Sequence, residues 1–228
     1  DVAKQYGKAQ LITAANVFAH ISNIHSVIDG VLELLDSNGV FITESHYLLE
    51  LIDTVQYDTI YHEHLRYYDL HSLGNLFSSH GLEIFHVKKI PTHGGSIRVY
   101  AARKGQRKVS QAVQDTLDIE SSKGLATGVG LKDFGSRVRS TKWELNKLLS
   151  DLKSGGAEIY GVGAPSRAST LISYVGIDDG LIDCVAEVKG SHKIGKYMPG
   201  TRIPVIEESV IFEKQPDYVL MLSWHIAD

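Results

Sequence analysis

The sequence predicts an α/β protein, and three observations carry that reading. Apolar runs of strand length alternate with stretches of helical spacing. Glycines punctuate the junctions, and the alternation occurs twice, on either side of a polar stretch beginning near Lys104. A chain of 228 residues is long enough to bury one large core or two smaller ones.

In chain order, AQLITAANVF reads as a buried strand. Ile24, Val27, Ile28, Val31, Leu34 and Leu35 then recur at helical spacing, with Gly39 as the expected stop. GVFITES reads as a second buried strand, and a strand–helix–strand opening predicts a parallel pair with a right-handed crossover. LHSLGNLFSSHG predicts a short helix stopped at Gly81. LEIFHVKKI and SIRVYAARK alternate as strands across PTHGG and predict a hairpin added to the sheet. Residues 104–130 lose the pattern and read as a connector. Helical spacing returns at Leu131, Phe134, Val138, Leu145, Leu148, Leu149 and Leu152. AEIYGVGAPSRASTLISYVG opens a second strand–turn–helix unit, and IDCVAEV, TRIPVIEE and DYVLMLSW supply further strand-like segments. The expected division is 1–104, a connector with its amphipathic helix over 105–156, and 157–228.

Composition narrows the function. Net charge is −4 without a long basic run, which argues against nucleic acid as a partner. The apolar runs are too short for a membrane span, and DVAKQYGKAQ lacks a signal-peptide core. Cys184 is the sole cysteine, so no intrachain disulfide and no cysteine zinc cage can form. A cytoplasmic monomer is the simplest expectation.

Nine of the eleven histidines lie between His20 and His93, which points to where proton chemistry would sit. TIYHEHLRYYDLH, Thr59–His71, holds three histidines, three tyrosines, two acids and an arginine. A metal site, a proton-transfer site and a polar face without a role compete here. Arg66 breaks the His-Glu-x-x-His spacing and would place a cation beside a metal, so no metal is expected. Proton transfer fits better: a histidine beside Glu63 can be held in one tautomer, and Tyr61 can donate to a developing oxyanion.

Three other motifs stay open between a ligand role and a structural one. Gly161, Gly163 and Ala164 form a small-residue turn before a helix, with Arg167 one step on. They suit a phosphate or a tightly packed turn equally, and Glu187 either meets a ribose hydroxyl or lies exposed. His93, Gly94, Gly95 and Ser96 line a sugar pocket or merely turn a hairpin, and spacing alone favours the turn; Arg98 shares a face with Ser96. Asn16 and His20 follow the first strand, where ligands gather in open α/β sheets, although Asn16 could simply cap a helix.

Taken in order, NVFAHI, YDTIYHEHLRYYDLHSL, HGGSIRVY and YGVGAPSRASTLISYVGI resemble the S-adenosylmethionine-dependent C-methyltransferases of nucleotide-linked keto-sugars. The resemblance covers essentially the whole chain. It implies the C-terminal part of a Rossmann-like class I methyltransferase sheet followed by a second Rossmann-like domain. It implies His64 as general base, supported by Tyr61 and Glu63, and methyl transfer to carbon through an enolate of a 4-keto-deoxysugar. Asn16 and His20 would face donor and sugar, with Val17 and Phe18 beside the donor. His93, Gly94, Gly95 and Arg98 would contact the sugar. Gly161, Gly163, Ala164, Arg167 and Glu187 would hold the nucleotide. The cofactor would be S-adenosylmethionine. Family members begin with a cysteine-rich zinc domain and a glycine-rich donor loop that these 228 residues do not contain. The chain is therefore expected to be an internal piece, inactive alone. The alternative is a nucleotide-sugar binding module without catalysis.

Overall fold

The computed structural model describes residues 2–226. The chain forms two compact units: one runs to Thr54 and resumes over His62–Phe134, and the other takes Val55–Tyr61 and the chain from Gly135. This differs from the expected division. No separate connector remains, because Val113 and Leu125 enter the first core and Leu149 enters the second.

Unit 1 comprises α1 (Val2–Tyr6), β1 (Ala9–Ala15), α2 (Ile24–Leu34), β2 (Leu35–His46), α3 (Leu48–Asp53), α4 (Leu70–Ser78), β3 (Leu82–Ile90), β4 (Ser96–Arg103) and α5 (Gln111–Ser122). Its sheet has the order β1-β2-β4-β3. β1 and β2 pair in parallel, as a strand–helix–strand opening requires, and β4 is antiparallel to both β2 and β3. The core is built around Phe18, Phe41 and Phe77, each fully buried, with Phe18 lying 5.8 Å from the Phe41 ring centre and 6.1 Å from that of Phe77. Burying a side chain of this size contributes about 1.5–3 kcal/mol.

Two local expectations change. Helix α2 ends at Leu34, and Gly39 sits inside β2 rather than closing the helix. A Cβ at Gly39 would come within 2.7 Å of Leu35 Cδ1 and 2.9 Å of the Ala9 carbonyl, so the glycine serves close strand approach. Helix α5 lies where the sequence shows no periodicity. Its buried face is Val113, Thr116 and Glu120, and two polar members hide the stripe.

Glu120 explains why a charge is buried there. Only 2% exposed, it accepts the Tyr47 hydroxyl at 2.9 Å, the Leu70 N–H at 2.7 Å and the His71 N–H at 3.1 Å. The last two are unpaired donors in the first turn of α4, which Asp69 also caps through the Ser72 N–H at 2.7 Å. Burial pushes the Glu120 carboxyl above its usual range, and the three donors pull against that shift.

α6 (Val129–Ser154) carries the chain from the residues of unit 1 into those of unit 2. Unit 2 continues with β5 (Ile159–Val162), α7 (Ser166–Val175), β6 (Cys184–Glu187), β7 (Val205–Glu207), α8 (Ser209–Lys214) and β8 (Tyr218–Met221). Its strands pair in parallel in the order β7-β6-β5-β8, the doubly wound pattern in which the first strand is central. Ile159, Ile172, Ile182, Val185 and Leu222 fill the core. Cys184 is buried, and burial pushes its thiol up to about 12, which leaves it unreactive near neutral pH. Among the described residues no helix is long and apolar enough to cross a membrane.

Truncating Glu120 to alanine strands a hydroxyl and two helix N–H groups in the core of unit 1. E120A is expected to lose about 3 kcal/mol, since each unsatisfied buried donor costs about 1–3 kcal/mol. Urea unfolding measures this, and a loss below about 1 kcal/mol would mean that water replaces the carboxylate.

Candidate active site

Two loops of unit 1 are sewn together where β1 ends. Leu65 N–H donates to the Ala19 carbonyl at 2.8 Å, and His20 Nδ1–H donates to the Glu63 carbonyl at 2.9 Å. Arg66 donates to the carbonyls of Ile21 and Ser22, the latter at 2.8 Å. Arg66 is thus a staple between the loops. The acceptor at His20 Nδ1 is a carbonyl, which cannot donate, so that nitrogen carries the proton.

The stapling brings together imidazoles from distant parts of the sequence. The His64 ring centre lies 5.0 Å from that of His20 and 5.4 Å from that of His46, and His93 lies 5.8 Å from His46. Tyr67 stands edge-on to His64 at 6.1 Å. His46 ends β2 and His20 follows β1, so the group gathers at the carboxyl ends of two parallel strands, where open α/β sheets place ligands. His64 is half-buried, whereas His20 and His93 are exposed. Among the described residues no set of three or more His, Cys, Asp or Glu side chains is arranged to hold a metal ion.

Glu63 enters differently from expectation. Its carbonyl holds His20, while its carboxylate is half exposed and 3.9 Å from the more exposed His62. A surface pair of this kind contributes little. Tyr61 is half-buried and belongs to unit 2, although it lies three positions before His64 in the chain.

Asn16 turns the chain at the end of β1 with a left-handed φ of 54°, and its N–H donates to the Glu44 carbonyl at 2.8 Å. It is not a helix cap. Asn16 and Val17 present exposed side chains, but Phe18 is fully buried among Phe41, Tyr68 and Phe77. Phe18 is therefore corrected from a donor contact to the floor beneath that turn.

The HGGS stretch does both things considered for it. It joins β3 to β4 with His93 and Gly95 at φ of 56° and 114°. Gly94, Gly95 and Ser96 also line a cavity of about 420 Å³ that Lys89 and Glu50, 3.3 Å apart, close on another side. That volume is within the range of small-ligand sites. Arg98 has its Nε at 3.0 Å and Nη2 at 2.8 Å from Glu44 Oε2, and Thr92 donates to the same carboxylate at 3.2 Å. Glu44 and Arg98 border a second hollow of about 210 Å³ beside the end of β1.

In unit 2 the glycine turn is explained by packing. A Cβ at Gly161 would meet Leu222 Cδ1 at 2.9 Å, and one at Gly163 would overlap Ser223 Oγ at 1.7 Å. The Gly163 N–H donates to the Ala186 carbonyl at 2.8 Å, and the Ala164 N–H to Glu187 Oε2 at 2.7 Å. Glu187 also accepts the Val188 N–H at 3.2 Å, so it is neither exposed nor turned to a ribose. Arg167, read as a phosphate fork, is 5% exposed and donates from Nε and Nη2 to Asp58, both at 2.7 Å. These donors are committed within the protein, and the phosphate reading of the turn loses them.

Sequence reasoning missed His46, Glu44 and Asp58. His46 had the signal of ending a strand that carries an adjacent parallel partner. Asp58 had none, because its partner lies 109 positions away.

Comparison with known proteins decides the family. Residues 91–228 match the C-methyltransferase C-terminal domain, and residues 1–87 match a methyltransferase domain. The chain belongs to the C-methyltransferase family. It is 36% identical over 228 residues, all of this chain, to C-methyltransferase NovU of Streptomyces niveus. It spans 54% of that relative's length. A solved structure, magnesium protoporphyrin IX methyltransferase (ChlM) from Synechocystis PCC 6803 with bound SAH, aligns over 46% of this chain and 49% of its own. That alignment has a TM-score of 0.35 and 16% identity, too slight to bear on fold or ligand.

Within this C-methyltransferase chain, Gly95 should not tolerate a side chain. A Cβ there would fall 2.7 Å from Glu50 Cβ, and φ is 114°. G95A is expected to cost about 1–3 kcal/mol from backbone strain and to shift the His93 imidazole resonances. Thermal unfolding with imidazole NMR checks both, and unchanged spectra would contradict the tight turn.

Proposed function

We propose that this chain is part of an S-adenosylmethionine-dependent C-methyltransferase that acts on a nucleotide-linked 4-keto-deoxysugar. Membership of the C-methyltransferase family supports the reaction class. The observation that carries the site assignment is the placing of His64 among His20, His46 and His93 at the carboxyl ends of β1 and β2.

A C–H bond beside a ketone is a weak acid, so the reaction needs a base and a means to hold charge on the carbonyl oxygen. His64 takes the proton from the carbon next to the ketone. The electrons move to the oxygen, and Tyr61 donates a hydrogen bond to that developing oxyanion. The nucleophilic carbon then forms a bond to a methyl group, and His64 holds the abstracted proton. When bound, S-adenosylmethionine supplies that methyl in electrophilic form. Asn16 and Val17, exposed at the end of β1, suit contact with the donor, and the left-handed Asn16 lets the chain turn close to it.

His20, with its proton fixed on Nδ1, keeps Nε2 as an acceptor for a sugar hydroxyl. His93, Gly94 and Gly95 border the larger cavity, a setting in which a sugar ring leaves room for water-free contact. Arg98, oriented by Glu44, supplies positive charge at the neighbouring hollow. The sugar contacts are therefore drawn from unit 1. Arg167 and the Gly161–Ala164 turn are not needed for them.

A general base contributes about 10²–10⁴ in rate, so His64→Ala is expected to lower kcat by that factor. Tyr61→Phe is expected to lower it by about 10²–10³, the usual effect of removing an oxyanion donor. Transfer of a labelled methyl group from donor to sugar carbon by the full-length protein measures both. Unchanged kcat in H64A would sink the base assignment.

A further inference from the structure

The segment Val55–Tyr61 interrupts unit 1 and packs within unit 2, and the way it is held points to a purpose. Gln56, Tyr57, Asp58 and Thr59 are 1–6% exposed. Asp58 sits at the centre. Its Oδ2 accepts Arg167 Nε at 2.7 Å and Trp224 Nε1 at 2.9 Å, and its Oδ1 accepts Arg167 Nη2 at 2.7 Å. The Arg167 guanidinium also lies over the Trp224 ring at 4.6 Å. The Asp58 and Arg167 side chains are 3% and 6% exposed, so the pair is removed from water and its geometry is fully specified by its own bonds.

Two further contacts lie along the same face of α7. Thr170 Oγ1–H donates to the Ile60 carbonyl at 3.1 Å, and Tyr174 packs against Tyr57 with ring centres 5.2 Å apart. Arg167, Thr170 and Tyr174 are spaced i, i+3 and i+7, one stripe of the helix. The stripe binds three successive parts of the segment: the Tyr57 ring, the Asp58 carboxylate and the Ile60 carbonyl. The next residue is Tyr61, whose N–H donates to the Thr59 carbonyl at 3.1 Å.

We propose that Asp58 and Arg167 are positioning residues for the reaction: they hold the segment on α7 so that Tyr61 is presented in one fixed direction. The proposal rests on the reading of Tyr61 as the oxyanion donor. A donor of this kind works only when its hydroxyl is already aimed at the place where charge develops. A segment with four buried residues and a three-donor carboxylate gives that rigidity, which an exposed loop would lack. The same bonds account for why Arg167 follows the glycine turn without serving it.

The test compares wild type, D58N, the paired apolar variant D58L/R167M, Y61F and D58N/Y61F, all in the full-length protein. Two quantities are read: hydrogen exchange at residues 59–61, and kcat and KM for methyl transfer. D58N is expected to lose amide protection at 59–61. Its kcat should fall about tenfold to a hundredfold, the effect of misplacing a reacting group by about 1 Å, with KM within twofold of wild type. In the Y61F background the same D58N change should have no further effect on kcat, because the positioned group is already gone. D58L/R167M keeps the volume without a buried unpaired charge, so it reports on aim even where D58N folds poorly. It too should lower kcat and lose coupling to Tyr61. Retained protection in both variants would overturn the clamp. Lost protection with unchanged kcat, or an equal loss of kcat with and without the Y61F substitution, would overturn its positioning role. A wild type that transfers no methyl group would overturn the functional reading itself, a result distinct from an active wild type with an indifferent D58N.

Discussion

A carboxylate removed from water must find donors, and this constraint organises both units. Glu120 meets it in unit 1 with the Tyr47 hydroxyl and the N–H groups of Leu70 and His71. Asp58 meets it in unit 2 with two Arg167 nitrogens and the Trp224 indole. An isolated buried charge would cost several kcal/mol, so neither side chain can stay where it is unless its partners do too. The two acids tie down opposite ends of the histidine- and tyrosine-rich stretch, Asp58 from beside its start and Glu120 through its last residues. Between those anchors, Arg66 and the backbone of Glu63 and Leu65 fasten the stretch to the loop after β1.

Strain concentrates in the same places. Asn16, Val55 and His93 are non-glycine residues with φ near +55°, and Val55 is β-branched, for which that conformation is uncommon. Asn16 ends β1, Val55 opens the segment that packs within unit 2, and His93 turns β3 into β4. Each such residue costs about 1–3 kcal/mol and persists only where surrounding bonds over-determine it. The Glu44 carbonyl does this for Asn16, and the Glu50 packing behind Gly95 does it for the His93 turn. The histidines sit on a scaffold held more tightly than loops usually are.

The glycine turn of unit 2 shows how a motif can keep its shape without its usual chemistry. Small residues after a first strand ordinarily admit a phosphate to the N–H groups at a helix start. Here Ser223, Leu222 and Val185 crowd the glycines, and Glu187 takes the Ala164 N–H. Lys193 adds a 2.6 Å bond to the Ala164 carbonyl. A carboxylate in that position is also electrostatically opposed to a phosphate. The turn works as a packing element that starts α7, and α7 in turn carries the face that holds Asp58.

The sequence alone determined the α/β class, the parallel opening, the β3–β4 hairpin and the long helix near Leu131–Leu152, because periodicity and turn residues are local signals. It also singled out the stretch around His64, because an unusual density of histidine and tyrosine is visible without any partner. Helix α5 escaped because its inward face carries Thr116 and Glu120, whose burial makes sense only once Tyr47 and α4 stand against them. His46 joined the site, and Phe18 left it, through the direction in which each side chain leaves the backbone. Arg167 passed from phosphate ligand to partner of Asp58 for a similar reason. The pairing joins residues 109 positions apart, and a charge in a sequence does not say which opposite charge will be buried with it. Only the tertiary structure decides that, because burial makes the choice of partner obligatory.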